Sequence, residues 1–251
     1  MKFSQHYTVK WHDTDANRQA RPSQILMYMQ ETANEHLRHA AISLDALRDR
    51  QGLAFLLSSI SICVYEPLYT GEEIEVQTWI CEGRGLSHNR CFCILKNGKP
   101  VVEAFSVWAL MDLRAHKLLK SDEVPYHLEP DEALQLAVLP RRLRVPTVEH
   151  MELVGERKIV YSDIDYNHHM NNTHYPDMFC DFTPGICENH VTGMMFSFLH
   201  EAVYGHTLKV YRVKTEEGYL FRTVDENGTV CTDALLRLEP IANLQTHSTE
   251  Q

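Results

Sequence analysis

The stretch Tyr161-Ser-Asp-Ile-Asp-Tyr-Asn-His-His-Met-Asn-Asn-Thr-His174 places two carboxylates (Asp163, Asp165), three amides (Asn167, Asn171, Asn172) and three imidazoles (His168, His169, His174) within fourteen residues. A second copy of its skeleton stands 150 residues earlier, from Asp13 to Asp163. His12-Asp-Thr-Asp-Ala-Asn-Arg-Gln19 keeps Asp13, Asp15 and Asn17 but carries Gln19 where the later copy has His169. One copy is equipped for proton transfer and the other is not, because Gln cannot exchange protons near neutral pH as His can.

The same order of parts follows each copy. Phe3–Trp11 alternates loosely and predicts a strand ahead of the first motif. Pro22 and Ser23 then open a helical stretch over Gln24–Leu47, with Ile25, Met29, Ala33 and Leu37 on one face. Strands are predicted over Leu53–Val64, Ile74–Cys81, Ser87–Leu95 and Val101–Leu110, with Asn97-Gly98 as a tight hairpin turn. In the second half, Arg157–Tyr161 predicts a strand and Thr173–Phe182 a short helix, with Pro176 tolerable only in its first turn. Strands follow over Met194–Val203 (carrying Glu201), Thr207–Lys214, Tyr219–Val224 and Val230–Leu238, with a second Asn-Gly turn at Asn227. Glu66 and Glu201 each close an apolar strand ahead of a Gly turn, 135 residues apart, and the Asn-Gly turns lie 130 apart. Three matches in one order predict a duplicated unit of strand, polar turn, helix and four strands. The fold class is therefore α+β, an antiparallel sheet wrapped around one helix and made twice. The expected division is 1–125, a linker over 126–150 with a short helix around Asp131–Ala137, 151–245, and a tail over 246–251. The linker belongs to a stretch of changed character, Lys120–Pro146, marked by Pro125, Pro130, Pro140 and Pro146.

Composition narrows the function. The chain has 251 residues, 44% hydrophobic, which is ample for a core. A formal net charge of −10 argues against nucleic acid as a partner, since phosphate neutralisation needs a basic surface. No apolar run approaches the ~18 residues that would cross a membrane. Seven Cys without a CxxC spacing, and a beginning at Met1-Lys-Phe-Ser-Gln-His with no apolar signal core, lead to the expectation of a reducing, cytoplasmic setting. Asp163-x-Asp165-x-Asn167 imitates a calcium loop, but His168 stands at the sixth position and His174 at the twelfth, where Gly and Glu are needed, so no metal is expected.

The unit order, together with Ser162-Asp-Ile-Asp-Tyr-Asn-His-His-Met-Asn-Asn172, resembles the acyl-ACP thioesterases of plants and bacteria, built from two fused hotdog units. The resemblance spans nearly the whole chain. It implies hydrolysis of the thioester between a fatty acyl chain and the phosphopantetheine arm of acyl carrier protein, with catalysis in the second unit and much of the acyl tunnel in the first. It carries catalytic roles onto Asp165, Asn167, His169 and Glu201. The family's Glu-Cys pair falls here on Glu201-Ala202, so no sulfur is available at that place and an activated water is favoured over a covalent acyl-enzyme. Glu201 is assigned as general base, Asn167 and His169 as positioning the water and carbonyl, and Asp165 as orienting both. The acyl-carrying arm belongs to the substrate, so no cofactor is implied. Acyl carrier proteins are acidic, and Arg141, Arg142 and Arg144 form a candidate docking patch. The face from Ile25 to Leu37 and the Leu53–Val64 stretch are candidates to line the tunnel. An acyl-CoA thioesterase, a non-catalytic acyl-thioester sensor and a dehydratase are the alternatives. A homodimer is left open, since a fused pair already supplies two units.

Overall fold

Among the described residues, eleven strands join one antiparallel sheet. The computed structural model describes residues 2–241 apart from 84, 121–122, 125–128, 132–135 and 137–141. The first half supplies β1 (Phe3–Thr8), helix α1 (Pro22–His39), a single turn α2 (Leu44–Ala46), β2 (Leu53–Val64), β3 (Glu73–Cys81), β4 (His88–Lys96), β5 (Lys99–Asp112) and β6 (Lys117–Leu119). The second supplies β7 (Glu152–Lys158), helix α3 (Tyr175–Asp181), β8 (Asn189–Phe198), β9 (Thr207–Thr215), β10 (Gly218–Val224) and β11 (Val230–Pro240). Strand order is β1-β3-β4-β5-β2-β8-β11-β10-β9-β7, with β6 beside β5. Read outward from the centre, β2-β5-β4-β3-β1 mirrors β8-β11-β10-β9-β7, as a duplicated unit requires. The halves meet where β2 pairs with β8, from Ser59 opposite Ser197 to Cys63 opposite Gly193.

Each helix buries its apolar side against its own part of the sheet. On α1 the buried residues include Ile25, Met29, Ala33 and Leu37, at helical spacing. On α3, Phe179 stacks against Phe196 of β8 and lies 4.9 Å from Phe221 of β10. Pro176 occupies the first turn of α3, where its missing N–H costs nothing. The Asn97-Gly98 hairpin has both residues at positive φ, +52° and +76°, the signature of a two-residue type I′ turn. Asn227-Gly228 differs. It belongs to a longer loop in which the Asp225 carboxylate accepts from the Asn227 and Thr229 N–H groups.

Several boundaries depart from the sequence reading. The helix expected to run on to Leu47 stops at His39, because Ala41 adopts φ +60° and turns the chain; α2 and a wide π-type turn over Leu47–Gln51 follow. Gly52 ends that turn at φ +71°. The strand expected at Arg157–Tyr161 is Glu152–Lys158, and Tyr161 opens a short 3-10 turn instead. β8 ends at Phe198, so Glu201 lies beyond the strand. There the N–H groups of Leu199 and His200 both donate to the Cys231 carbonyl, and the chain leaves the sheet. The helix expected around Asp131–Ala137 falls largely outside the described residues, as does the 246–251 tail.

Candidate active site

The two motif loops share one backbone. In the second, Asp165 N–H donates to the His169 carbonyl (3.1 Å), His168 N–H to Asp165 (3.0 Å) and Met170 N–H to Ala202 (2.8 Å). In the first, Asp15 N–H donates to Gln19 (2.8 Å), Arg18 N–H to Asp15 (3.1 Å) and Ala20 N–H to Leu68 (2.7 Å). His168 and Arg18 take the same left-handed conformation, φ +66° and +61°. Asp163 and Asp13 are buried braces. The Asp163 carboxylate accepts from Val160 N–H at 2.9 Å and from Arg157; that of Asp13 accepts from Lys10 N–H at 3.0 Å and the Tyr28 hydroxyl at 2.8 Å.

This correspondence corrects the pairing of the acids. Ala202 matches Leu68, an offset of 134, and Leu199 and His200 match Tyr65 and Glu66 in their shared bond to Cys231 or Val101. Glu201 therefore corresponds to Pro67, and Glu66 to His200. The first copy lacks both the imidazole and the carboxylate. A one-residue shift in the loop after the strand made two unrelated glutamates look equivalent.

In the second copy the four candidate residues come together at one cavity. His169 Nε2 lies 3.6 Å from Glu201 Oε1, with side-chain exposures of 19% and 63%. The Asp165 carboxylate accepts from Asn167 N–H at 2.8 Å and from Asn167 Nδ2 at 3.4 Å. Its hold on His169 runs through the backbone, so of the two side chains it was expected to orient, it directly contacts Asn167. Asn171 caps the next turn, its Oδ1 accepting from Thr173 N–H and Oγ1, both at 2.9 Å. Ala202 is buried beside Glu201, and its carbonyl is taken by Met170.

The cavity measures about 1000 Å³, at the upper end for small-molecule sites. Its wall is built largely by the first half, from Ala33 and Leu37 of α1, Leu44, Leu47, all of Leu53–Leu57 on β2, and Trp108. Tyr175 and Phe198 close it from the second half. Ile25 is core and borders a different space, so only the later part of the expected helix face reaches the cavity. The floor crosses β2, β5, β4 and β3, three strand spacings or roughly 14 Å. Burial pushes the Tyr175 phenol above its ordinary range and lowers His88 on the wall below its usual value. Cys81, also on the wall, has its thiol lowered by the hydrogen bond it shares with Cys91. The equivalent space beside the first motif is about 220 Å³, bordered by Asp15, Asn17, Gln19 and Pro67.

Sequence reading missed Arg48. Its guanidinium donates to Asn167 Oδ1 and sits 4.9 Å over the Tyr166 ring. Position 48 lies just past the stretch read as helix, Gln24–Leu47, and nothing in its residue pattern signals a contact with a loop 119 residues away.

A large apolar cavity shared between two fused sheet-and-helix units, with a polar Asp-x-Asn-x-His loop at one side, defines a tandem hotdog protein. The whole-chain architecture matches an acyl-ACP thioesterase from Bacteroides thetaiotaomicron (TM-score 0.81, 21% identity, 95% of this chain and 98% of that one). It also matches a 12:0-ACP thioesterase from Umbellularia californica (TM-score 0.82, 16% identity, 96% and 98%). The family profiles for the acyl-ACP thioesterase N-terminal and C-terminal domains match residues 1–124 and 149–236. The chain belongs to the acyl-ACP thioesterase family. Among curated relatives it is 26% identical to a chloroplastic acyl-[acyl-carrier-protein] hydrolase of Cuphea viscosissima, covering 72% of this chain and 47% of that protein. It is 25% identical to a chloroplastic palmitoyl-acyl carrier protein thioesterase of Cuphea hookeriana, covering 72% and 47%. The chain thus spans about half the length of the curated relatives it matches.

Proposed function

We propose that this chain hydrolyses the thioester of fatty acyl-acyl carrier protein, releasing a free fatty acid and ending chain elongation. The observation that carries this reading is the His169–Glu201 pair, 3.6 Å apart, beside an apolar cavity of about 1000 Å³. Each methylene of an acyl chain buried there contributes about 0.8 kcal/mol to binding. The thioester carbonyl then lies at the polar loop. Glu201 takes a proton from water held with His169, and the water oxygen bonds to the carbonyl carbon. Negative charge develops on the carbonyl oxygen, where the Asn167 amide donates. The C–S bond breaks, and the phosphopantetheine sulfur leaves as a thiolate that takes up a proton. A thiolate is a good leaving group, so acid assistance is the smallest need. Ala202 supports attack by water, since the position beside the base offers no sulfur.

The first motif lacks imidazole and base and serves as scaffold, while its half builds the acyl wall. Acyl carrier protein, with its acyl-phosphopantetheine, is the partner. Arg142 and Arg144 are exposed and remain candidates for docking; Arg141 lies outside the described residues. Seven free cysteines fit a reducing compartment such as the cytoplasm. No described helix is long and apolar enough to cross a membrane. The test is thiol release, followed with a trapping dye, from matched acyl-acyl carrier proteins and acyl-CoAs of eight to eighteen carbons. Higher kcat/KM on the carrier protein supports the reading; preference for CoA replaces it with an acyl-CoA thioesterase, and no release from either defeats it.

A further inference from the structure

We propose that Arg48 is a positioning residue, a first-half side chain that fixes which way the Asn167 amide faces in the second-half site. This rests on the thioesterase reading above. Arg48 sits in the wide π-type turn Leu47–Gln51, a rare form of helix that is frequent at functional sites. The turn is held at its end by Gly52, whose N–H donates to the Arg48 carbonyl at 3.0 Å. From there the guanidinium crosses between the halves and meets two consecutive motif residues, donating to Asn167 Oδ1 and covering the Tyr166 ring at 4.9 Å.

The chemistry of the neighbours sets the amide. A guanidinium only donates, so the atom facing it must be the Asn167 oxygen. A carboxylate only accepts, and Asp165 takes Asn167 Nδ2 at 3.4 Å. Both neighbours specify one orientation, and one Nδ2 hydrogen is claimed by neither; that hydrogen is the one assigned to the thioester carbonyl. The first motif shows the alternative. There the Asn17 Nδ2 donates to the Cys187 carbonyl at 2.9 Å, so its amide is spent on the backbone of the other half. The turn that carries Arg48 follows α1 and α2, whereas α3 ends at Asp181 and leads through a 3-10 turn over Ile186–Glu188 to β8.

The test compares Arg48→Ala, Arg48→Lys, Asn167→Ala and the double variant on palmitoyl-acyl carrier protein, with the Asn167 side-chain amide followed by NMR. Arg48→Ala is expected to lower kcat about 10- to 100-fold with KM within about threefold. Lys, which donates without the planar fork, recovers part of the loss. In the Asn167→Ala background, removing Arg48 adds no further loss, because both act through one group. The Asn167 amide resonance moves in Arg48→Ala and returns partway in Arg48→Lys. A kcat that is kept, losses that multiply, or an unmoved resonance would each overturn the proposal. An inactive wild type across acyl-acyl carrier proteins of eight to eighteen carbons rejects the thioesterase reading instead, and the amide resonance still decides whether Arg48 holds Asn167.

Discussion

The two polar loops, at 12–20 and 162–170, have the same hydrogen-bonded backbone and different chemistry. Both use a buried Asp to brace a short 3-10 turn, both place a residue at positive φ, and both dock onto the loop after the central strand of their half. The Asp-x-Asn skeleton is therefore a structural device first. What separates the copies is Gln19 against His169, Pro67 against Glu201, and a cavity of about 220 Å³ against one of about 1000 Å³. A duplicated unit can keep its scaffold in both copies while only one keeps groups able to move protons. The helices divide in the same way. Long α1 walls the large cavity, while short α3 contributes Asp177, whose carboxylate accepts from Ser23 N–H at 2.9 Å and caps α1 from the opposite half.

The comparison breaks most visibly if the second loop is given the first loop's residue. His169→Gln should lower kcat on acyl-acyl carrier protein by about 10²–10⁴, the range for disabling general-base catalysis, because the imidazole that holds the water beside Glu201 is lost. Its melting temperature should stay near that of wild type, since Gln already occupies the same backbone in the first copy. Asp13→Ala should leave the chemistry in place but cost about 1–3 kcal/mol in chemical denaturation, because it strands the Lys10 N–H and the Tyr28 hydroxyl. An unchanged stability would contradict the bracing role given to both buried aspartates.

A smaller effect separates the helices by pH. His36 on α1 is held down to about 4, by burial first and by Arg90 second, and its Nδ1 lies 3.1 Å from the Arg90 guanidinium. The unfolded chain takes up this proton near 6.5 and the folded chain only near 4. Stability should therefore fall as pH drops from 6.5 toward 4 and level off below that. Urea midpoints of wild type and His36→Gln should converge at neutral pH, with the variant losing less on acidification. The smallest change is expected from Gln19→His with Pro67→Glu. It restores the missing groups beside a space of about 220 Å³, too small for an acyl chain, so total activity should change less than about twofold. A clear gain in that variant would mean that cavity size does not decide between the copies.

Most of the fold was legible in the sequence. Leu53–Val64 was bounded as found, because an apolar run between turn signals has few other readings. Asn97-Gly98 and the repeat order carried the rest of the sheet. The end of α1 was not legible, since the break falls at Ala41, a good helix former that takes φ +60° here while Ile42 N–H turns back to the Leu37 carbonyl and Ile42 joins the apolar cluster of Leu37 and Leu47. Asp165, Asn167 and His169 could be picked out because their residue types and spacing recur in a recognisable family motif. Glu201 was named from the same resemblance, but its place beyond the strand, and the one-residue error in pairing it with Glu66, follow from a local bend that periodicity does not report. Arg48 was invisible, because a contact between a helical turn and a distant loop leaves no mark in local pattern.

The central claim is that the Glu201 carboxylate, 3.6 Å from His169 of the second loop, activates water. The direct measurement is the single-turnover rate of hydrolysis of palmitoyl-acyl carrier protein by wild type and Glu201→Gln, with each protein's mass recorded after the reaction is quenched. The account predicts a fall of about 10²–10⁴ in rate for the variant, with no acyl group left on either protein. A variant that keeps the wild-type rate, or a wild-type chain carrying a covalent acyl group, would contradict it.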